Sequence, residues 1–237
     1  MHVISEPAIL YLGTPVVLIS TVNEDGSYNL APMSSAFWLG WRCILGLDAS
    51  SKSPQNMHRT QECVLNLPSV DAVSAVNRLA RTTGTDPVPS RKLSRGYRYE
   101  QDKFGLSGFT PVPSETVAPP RALECPVQLE AVVESVRSVA ENDPVLGGKV
   151  LVFETRVQRV HVEERMLVDD DHNRIDPDKW RPLIMSFQKF YGLAPGQIHE
   201  STLGKIPETS YRSPDVDRGR LLAHQPPESR AAAGGLR

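Results

Sequence analysis

The strongest constraint on the fold lies near the start of the chain, where two strand-like segments flank a turn sequence. Residues 14–22 are mostly apolar and rich in β-branched side chains, which favour strands. The turn sequence Asn23-Glu24-Asp25-Gly26 follows, and Gly26 accepts the positive φ that tight hairpin turns require. With a return strand over residues 27–31, the chain is predicted to open with an antiparallel hairpin.

The remaining elements lack the regular strand–helix alternation of a parallel sheet. Further strands are predicted at 42–47, 63–67, 127–133 and 149–162, the last with a bulge near Phe153. Helices are predicted from Ser53 to about Gln61, with Ser53 as N-cap and Pro54 at N1, from Ser69 to about Ala80, at 102–106, and at Asp176-Pro177. These elements indicate a mainly β fold, an antiparallel barrel with attached helices.

Two segments are predicted to lie outside regular structure. Residues 81–99 contain Gly, Pro and five basic side chains with little periodicity, which indicates a long loop. From residue 213 onward Pro, Arg, Ala and Gly dominate, so we expect one domain over residues 1–212 and a mobile C-terminal tail over 213–237.

Charge and composition exclude several classes of protein. The 26 basic and 28 acidic side chains nearly cancel, which argues against a nucleic-acid partner. No apolar run approaches the roughly 18 residues of a membrane span, and no secretion signal is evident at the N-terminus, so we expect a cytoplasmic protein without membrane contact. The three cysteines are too widely spaced for a metal knuckle, and the acidic run 169–171 before His172 indicates a turn. No metal is expected.

An anion site is indicated where the first predicted helix begins. Ser50-Ser51-Lys52-Ser53 combines hydroxyls, a lysine and the N-terminus of a helix, whose free amides and dipole favour negative charge. The same sequence also suits a helix cap with no ligand. Residues 29–35 supply a second ingredient, because small residues beside Pro32 allow a planar ligand to approach the backbone; a strand that simply ends in a turn is the alternative.

Taken together, these segments resemble a known family. The sequence S-T-V-N-E-D-G-S-Y-N-L-A-P-M-S-S at 20–35, followed by S-K-S-P-Q-N at 51–56, is similar to the flavin reductase-like, FMN-binding split-barrel family. The resemblance continues at D-K-F-G-L-S-G-F-T-P (102–111), V-A-P-P-R (117–121), residues 124–134 and R-I-D-P-D-K (174–179). It covers about residues 14–193.

The resemblance implies a six-stranded antiparallel split β-barrel that dimerises, with FMN, or alternatively FAD, near the subunit interface. The residues implied to line the ribityl chain and the ring are Ser20, Thr21, Asn29, Ala31, Pro32, Met33, Ser34 and Ser35. Those implied to hold the phosphate are Ser51, Lys52, Ser53 and Asn56.

The implied activity is that of an NAD(P)H:flavin oxidoreductase. Hydride moves from the nicotinamide of NADH or NADPH to the flavin, and the electrons pass to free flavin, to a partner flavin-dependent monooxygenase or to another acceptor. Because the flavin carries the chemistry, no catalytic side chain is expected.

Three other functions remain open. They are an FMN-dependent electron carrier without a nucleotide site, a tailoring reductase for a specific organic substrate, and a split-barrel binding protein that has lost flavin. Trp38 and Trp41 suit an aromatic lid, a dimer contact or simple packing. The basic loop at 81–99 suits the pyrophosphate of NAD(P)H, an acidic partner, or solvent alone.

Overall fold

The computed structural model describes residues 1–223, so the predicted tail beyond residue 223 lies outside it. The strands are β1 (Thr14–Pro15), β2 (Val17–Val22), β3 (Tyr28–Met33), β4 (Ala36–Leu39), β5 (Arg42–Asp48), β6 (Glu62–Leu67), β7 (Thr82–Thr83), β8 (Arg98–Tyr99), β9 (Pro111–Val112), β10 (Arg121–Ala122), β11 (Val127–Ser138), β12 (Val150–Val162), β13 (Leu167–Val168), β14 (Asp171–Ile175), β15 (Ile184–Ser186) and β16 (Lys189–Tyr191). The α-helices are α1 (Lys52–Thr60), α2 (Val73–Arg78), α3 (Ser90–Leu93), α4 (Lys103–Ser107) and α5 (Pro214–Ala223).

The main sheet has seven antiparallel strands in the order β3-β2-β6-β11-β12-β5-β4. Strands β3 and β4 are consecutive in the sequence but lie at opposite edges, and only Ser34 and Ser35 separate them. Three Cα–Cα steps span at most about 11 Å, so the sheet curls until its two edges are close. The sheet does not close by hydrogen bonds. The mainly β split barrel is therefore confirmed, with seven strands in the sheet in place of six.

Strand β2 is buried on both faces because side chains alternate along a strand. Val17 and Ile19 belong to the core inside the curled sheet, together with Phe153 and Leu45. Their neighbours on the opposite face belong to a second core that α2 and α4 cover; its buried members include Val16, Leu18, Leu30, Val76, Leu79, Phe104 and Leu183. The apolar run that predicted β2 thus reflects two cores that meet at one strand.

Helix α1 begins two residues earlier than predicted. Its N-cap is Ser51, whose side chain makes no capping hydrogen bond, and Ser53 and Pro54 lie in its first turn. It ends at Thr60, followed by Gln61 at φ 58°. The early start places the backbone N–H groups of Lys52 and Ser53 at the open end of the helix.

Several local predictions were wrong. No bulge lies at Phe153; the extra residues are Gln158 on β12 and Glu134 on β11, and Phe153, Thr155 and Val157 share the inner face. Residues 177–179 form a turn instead of a helix. The helix predicted from Ser69 begins as a 3₁₀ turn (Val70–Ala72) before α2.

The start of the predicted tail is a packed helix. In α5 the Asp215 carboxylate lies 3.0 Å from Arg42 Nε, and a Cβ on Gly219 would lie 2.6 Å from Trp41 Cζ3. Glycine therefore lets the helix backbone pack against Trp41, which together with Trp38 also contacts the inner core. Both indole rings thus have packing partners within the domain. No helix among residues 1–223 is long and apolar enough to span a membrane.

Candidate functional site

A cluster of buried amides and hydroxyls lies where α1 meets the β2–β3 hairpin. The Asn29 side-chain nitrogen donates to Ser53 Oγ at 3.0 Å and to Thr21 Oγ1 at 3.3 Å. The Asn56 side-chain nitrogen donates to the same Thr21 oxygen at 3.0 Å and to Asn23 Oδ1 at 2.8 Å. Strand pairing places Thr21 directly opposite Asn29. The cluster fixes the N-terminus of α1 against the hairpin.

One atom of this cluster has no partner. Asn29 is 1% exposed, and its side-chain oxygen accepts no hydrogen bond from the described residues. Both hydrogens of its amide nitrogen are already directed at Ser53 and Thr21. A buried acceptor without a donor costs about 1–3 kcal/mol, so this atom is suited to a ligand hydroxyl or ring N–H.

Gly84 keeps the space beside this oxygen open. A Cβ at Gly84 would lie 2.8 Å from Asn29 Oδ1 and 3.2 Å from Lys52 Cγ. Any side chain there would occupy the position from which a ligand donor reaches Asn29. The backbone of the loop after β7 therefore forms one wall of a cradle.

The cradle opens into a cleft between the hairpin turn, the start of α1 and the loop that reaches α4. Its lining residues are Asn23, Glu24, Asp25, Ser27, Asn29, Lys52, Gly84, Tyr99, Glu100 and Gln101. The Lys52 ammonium lies 3.3 Å from the Glu24 carboxylate, which is largely exposed. Glu100 pairs with Arg98 at 2.9 Å, and Asp25 accepts from the Ser27 amide at 3.0 Å. An anion that binds Lys52 must therefore displace a weakly held, solvated carboxylate.

The structure brings together five of the residues implied to bind flavin: Thr21, Asn29, Lys52, Ser53 and Asn56. Ser51 adjoins them as the N-cap of α1.

Ser20 points the other way. Its hydroxyl is fully buried and donates to the Pro120 carbonyl on the opposite face of β2 from Thr21. The structure does not bring this side chain to the cleft.

The implied ring-binding stretch extends away from the cradle along the edge of the sheet. Ala31 and Met33 share the face of Asn29, whereas Pro32 lies on the other face. Ser34 and Ser35 form the connection between the two edges, and the Ser35 carbonyl accepts from the Gly46 amide at 2.8 Å. Their contact with a ring stays a prediction.

Sequence reasoning missed the wall opposite the hairpin. Strands β7 and β8 are two residues each and pair in parallel, so that Thr83 lies beside Tyr99. Strands of two residues have no detectable periodicity, so no pattern in the sequence located Gly84 or Tyr99 in the cleft. Asn23, which holds Asn56, was predicted only as part of a turn.

The family follows from comparison with known proteins. Residues 10–194 match the family described as flavin reductase like domain. The chain belongs to this family. It is 39% identical over 188 residues to the uncharacterized protein YdfE of Bacillus subtilis, a match that covers 79% of this chain and 87% of that protein.

Solved structures share the fold at low sequence identity. Flavoredoxin of Desulfovibrio vulgaris aligns with a TM-score of 0.67 and 20% identity, covering 86% of this chain and 100% of that one. Nitrilotriacetate monooxygenase component B from Bacillus cereus aligns with a TM-score of 0.64 and 20% identity, covering 80% of this chain and 88% of that one. These likenesses support the split-barrel fold.

The residues of the cradle fit the flavin that the family implies. Asn29 supplies an unused buried acceptor, Gly84 leaves space beside it, and the start of α1 supplies amides and a lysine for a phosphate. A phosphorylated, hydroxyl-rich ligand uses all three features at once.

Proposed function

We propose that the protein binds FMN and acts as an NAD(P)H-dependent flavin oxidoreductase. The observation that carries this proposal is the unpaired Asn29 oxygen beside the open N-terminus of α1. Ser51, Lys52 and Ser53 hold the phosphate through hydroxyls, backbone amides and one ammonium, while Asn29 accepts a hydrogen bond from the ribityl chain or the ring edge. When bound, the flavin accepts hydride at N5 and passes on electrons.

The side chains of the site support binding and orientation more than acid–base chemistry. The three thiols are buried away from the cleft, and burial raises the pKa of Cys43 to about 12 and the pKa of Cys63 and Cys125 further. Thiolate nucleophiles are therefore not formed at neutral pH. The chain holds the flavin in position, and the amides at the start of α1 stabilise negative charge.

The electron acceptor in this proposal is free flavin, a partner monooxygenase or another small acceptor. The fold likeness to a monooxygenase component supports the second choice. We also propose that the protein is a homodimer, since β4 is an edge strand whose Phe37 and Leu39 side chains are exposed. Apolar side chains on an unpaired edge favour association with a second copy.

An absorbance spectrum of the purified protein, followed by anaerobic titration with NADH and NADPH, tests the activity. We expect flavin absorbance, after addition of FMN if necessary, and bleaching by at least one nucleotide without any other protein. Bound flavin that neither nucleotide bleaches would contradict the reductase and favour an electron carrier. Bleached flavin that is reoxidised only by one organic compound would favour a tailoring reductase, and failure to bind FMN would favour a flavin-free binding protein.

Replacing Lys52 with Ala is expected to weaken FMN binding by about 10- to 100-fold, because a hydrogen bond to a charged group contributes about 1.5–3 kcal/mol. Equilibrium dialysis against FMN measures the effect. Lys205→Ala removes an equal charge from an exposed site on a 3₁₀ turn far along the chain and serves as the matched control. Equal affinities of the two variants would show that Lys52 does not hold the phosphate.

A further inference from the structure

One cation of the basic loop at residues 81–99, Lys92, lies beside the start of α1. Its four arginines, Arg81, Arg91, Arg95 and Arg98, are exposed, whereas Lys92 is half-buried. The short pairing of β7 with β8 folds this loop back towards α1. Most of the charge of the loop is therefore solvated, and only Lys92 reaches inward.

Lys92 lies at the N-cap of α1. Its ammonium donates to Ser51 Oγ at 2.7 Å and to Thr83 Oγ1 at 3.4 Å. In the described part of the chain these hydroxyls are its hydrogen-bond partners, and it forms no ion pair within 4.0 Å. Since a helix N-terminus carries partial positive charge, a cation at this position is unfavourable without a nearby anion.

The acids around Lys92 do not neutralise it by contact. Asp48 is the acid whose charge acts on the pKa of Lys92. Its carboxylate, however, accepts hydrogen bonds from the Ser50 amide at 2.9 Å and from the Ser50 hydroxyl at 2.6 Å. Burial lowers the pKa of Lys92, and the Asp48 charge only partly opposes this. The ammonium therefore lies beside a helix N-terminus and 5.8 Å from the centre of the Tyr97 ring, with no carboxylate in direct contact.

A third lysine lies close enough to Lys92 for the two charges to interact. Lys103, at the start of α4, is 3% exposed and has no ion-pair partner within 4.0 Å among residues 1–223. Burial, with the Lys92 charge as a second cause, lowers its pKa to about 7, although Glu100 opposes the shift. An anion bound beside Lys92 would reduce the repulsion between Lys92 and Lys103.

We propose that Lys92 is a second phosphate-binding residue, across Ser51 from Lys52, and that this pair makes the site selective for a terminal phosphate monoester. A monoester carries a charge of about −1.5 to −2 at neutral pH. Each phosphate of FAD has one ester and one anhydride linkage and carries a single negative charge, and riboflavin has no phosphate. The inference rests on the proposed flavin binding and names FMN as the flavin that the site selects.

The test compares FMN, FAD and riboflavin binding to wild type, Lys92→Met and Arg91→Met. In Lys92→Met we expect FMN affinity to fall at least tenfold, FAD affinity to fall less, and riboflavin affinity to stay within twofold. Arg91→Met removes the adjacent, exposed charge of the same loop and should change none of the three. Lys92→Arg keeps the charge and should retain most of the preference for FMN.

Each other outcome has a definite meaning. Equal losses for FMN and riboflavin would assign Lys92 to loop packing, and unchanged FMN affinity would remove it from the site; either result overturns the inference while leaving flavin binding intact. If wild type binds none of the three flavins, the proposed function itself fails. A thermal unfolding midpoint for each variant verifies that the protein compared is folded.

Discussion

Replacing Gly84 with Ala is expected to lower FMN affinity about 5- to 150-fold, since overpacking a filled site costs about 1–3 kcal/mol. The new methyl group would lie 2.8 Å from Asn29 Oδ1. Asn29 cannot retreat, because it is buried and its amide nitrogen is bonded to Thr21 and Ser53. Either the loop moves outward or the Asn29 oxygen turns away from the ligand. Quenching of FMN fluorescence on titration with protein measures the loss.

Gly204→Ala is the matched control for this prediction. A Cβ at Gly204 meets no atom within 4 Å, and the residue does not have a positive φ. It should therefore leave FMN affinity and the thermal midpoint unchanged. If Gly84→Ala bound FMN as tightly as Gly204→Ala does, the cradle beside Asn29 would not be the flavin site.

The second large effect concerns stability, and it arises at Glu130 on β11. This fully buried carboxylate accepts from the Glu115 amide at 2.9 Å, from the Thr116 amide and hydroxyl at 2.6 Å each, and lies 2.7 Å from His161 Nε2. It thereby ties the proline-rich segment before β10 to the sheet. Glu130→Ala leaves these donors without an acceptor, and we expect a loss of about 3 kcal/mol, or about 6–12 °C in midpoint.

Glu134→Ala, on the same strand, controls for the loss of a glutamate. Glu134 is exposed and makes one ion pair, to Arg156 at 2.7 Å, so its removal should cost less than about 1 kcal/mol. Urea unfolding at pH 7 measures both variants. Equal losses would show that the Glu130 network does not anchor the connector.

The Glu130 network also predicts how stability depends on pH. Burial alone would raise the pKa of Glu130, but hydrogen bonds from His161, Thr116 and the Glu115 and Thr116 amides lower it to about 2, below its ordinary value of 4.5. On acidification the unfolded chain therefore takes up this proton first. The stabilisation is complete above pH 4.5 and is lost as the pH falls towards 2. The difference in stability between wild type and Glu130→Gln should narrow over that range, and a constant difference would contradict the assignment.

The sequence predicted much of the fold because hairpin turns and helix starts depend on residues only a few positions apart. The Asp25-Gly26 turn fixes the first hairpin, and serines before Lys52 mark the start of α1 to within two residues. The separation of Ser20 from Thr21 also follows from the alternation of side chains along a strand, although the resemblance grouped them. The family resemblance placed Asn29, Lys52, Ser53 and Asn56 in one site, and the structure brings them together.

By itself, then, the sequence determined the longer strands, the first helix and the presence of serines and Lys52 at its N-terminus, since each depends on residues within a few positions of one another. Only the tertiary structure decided that Gly84 and Lys92 face that terminus. They reach it because the pairing of the two-residue strands β7 and β8 folds the loop back towards α1. Such contacts join residues 30–60 positions apart, and their energy depends on packing that no local pattern encodes.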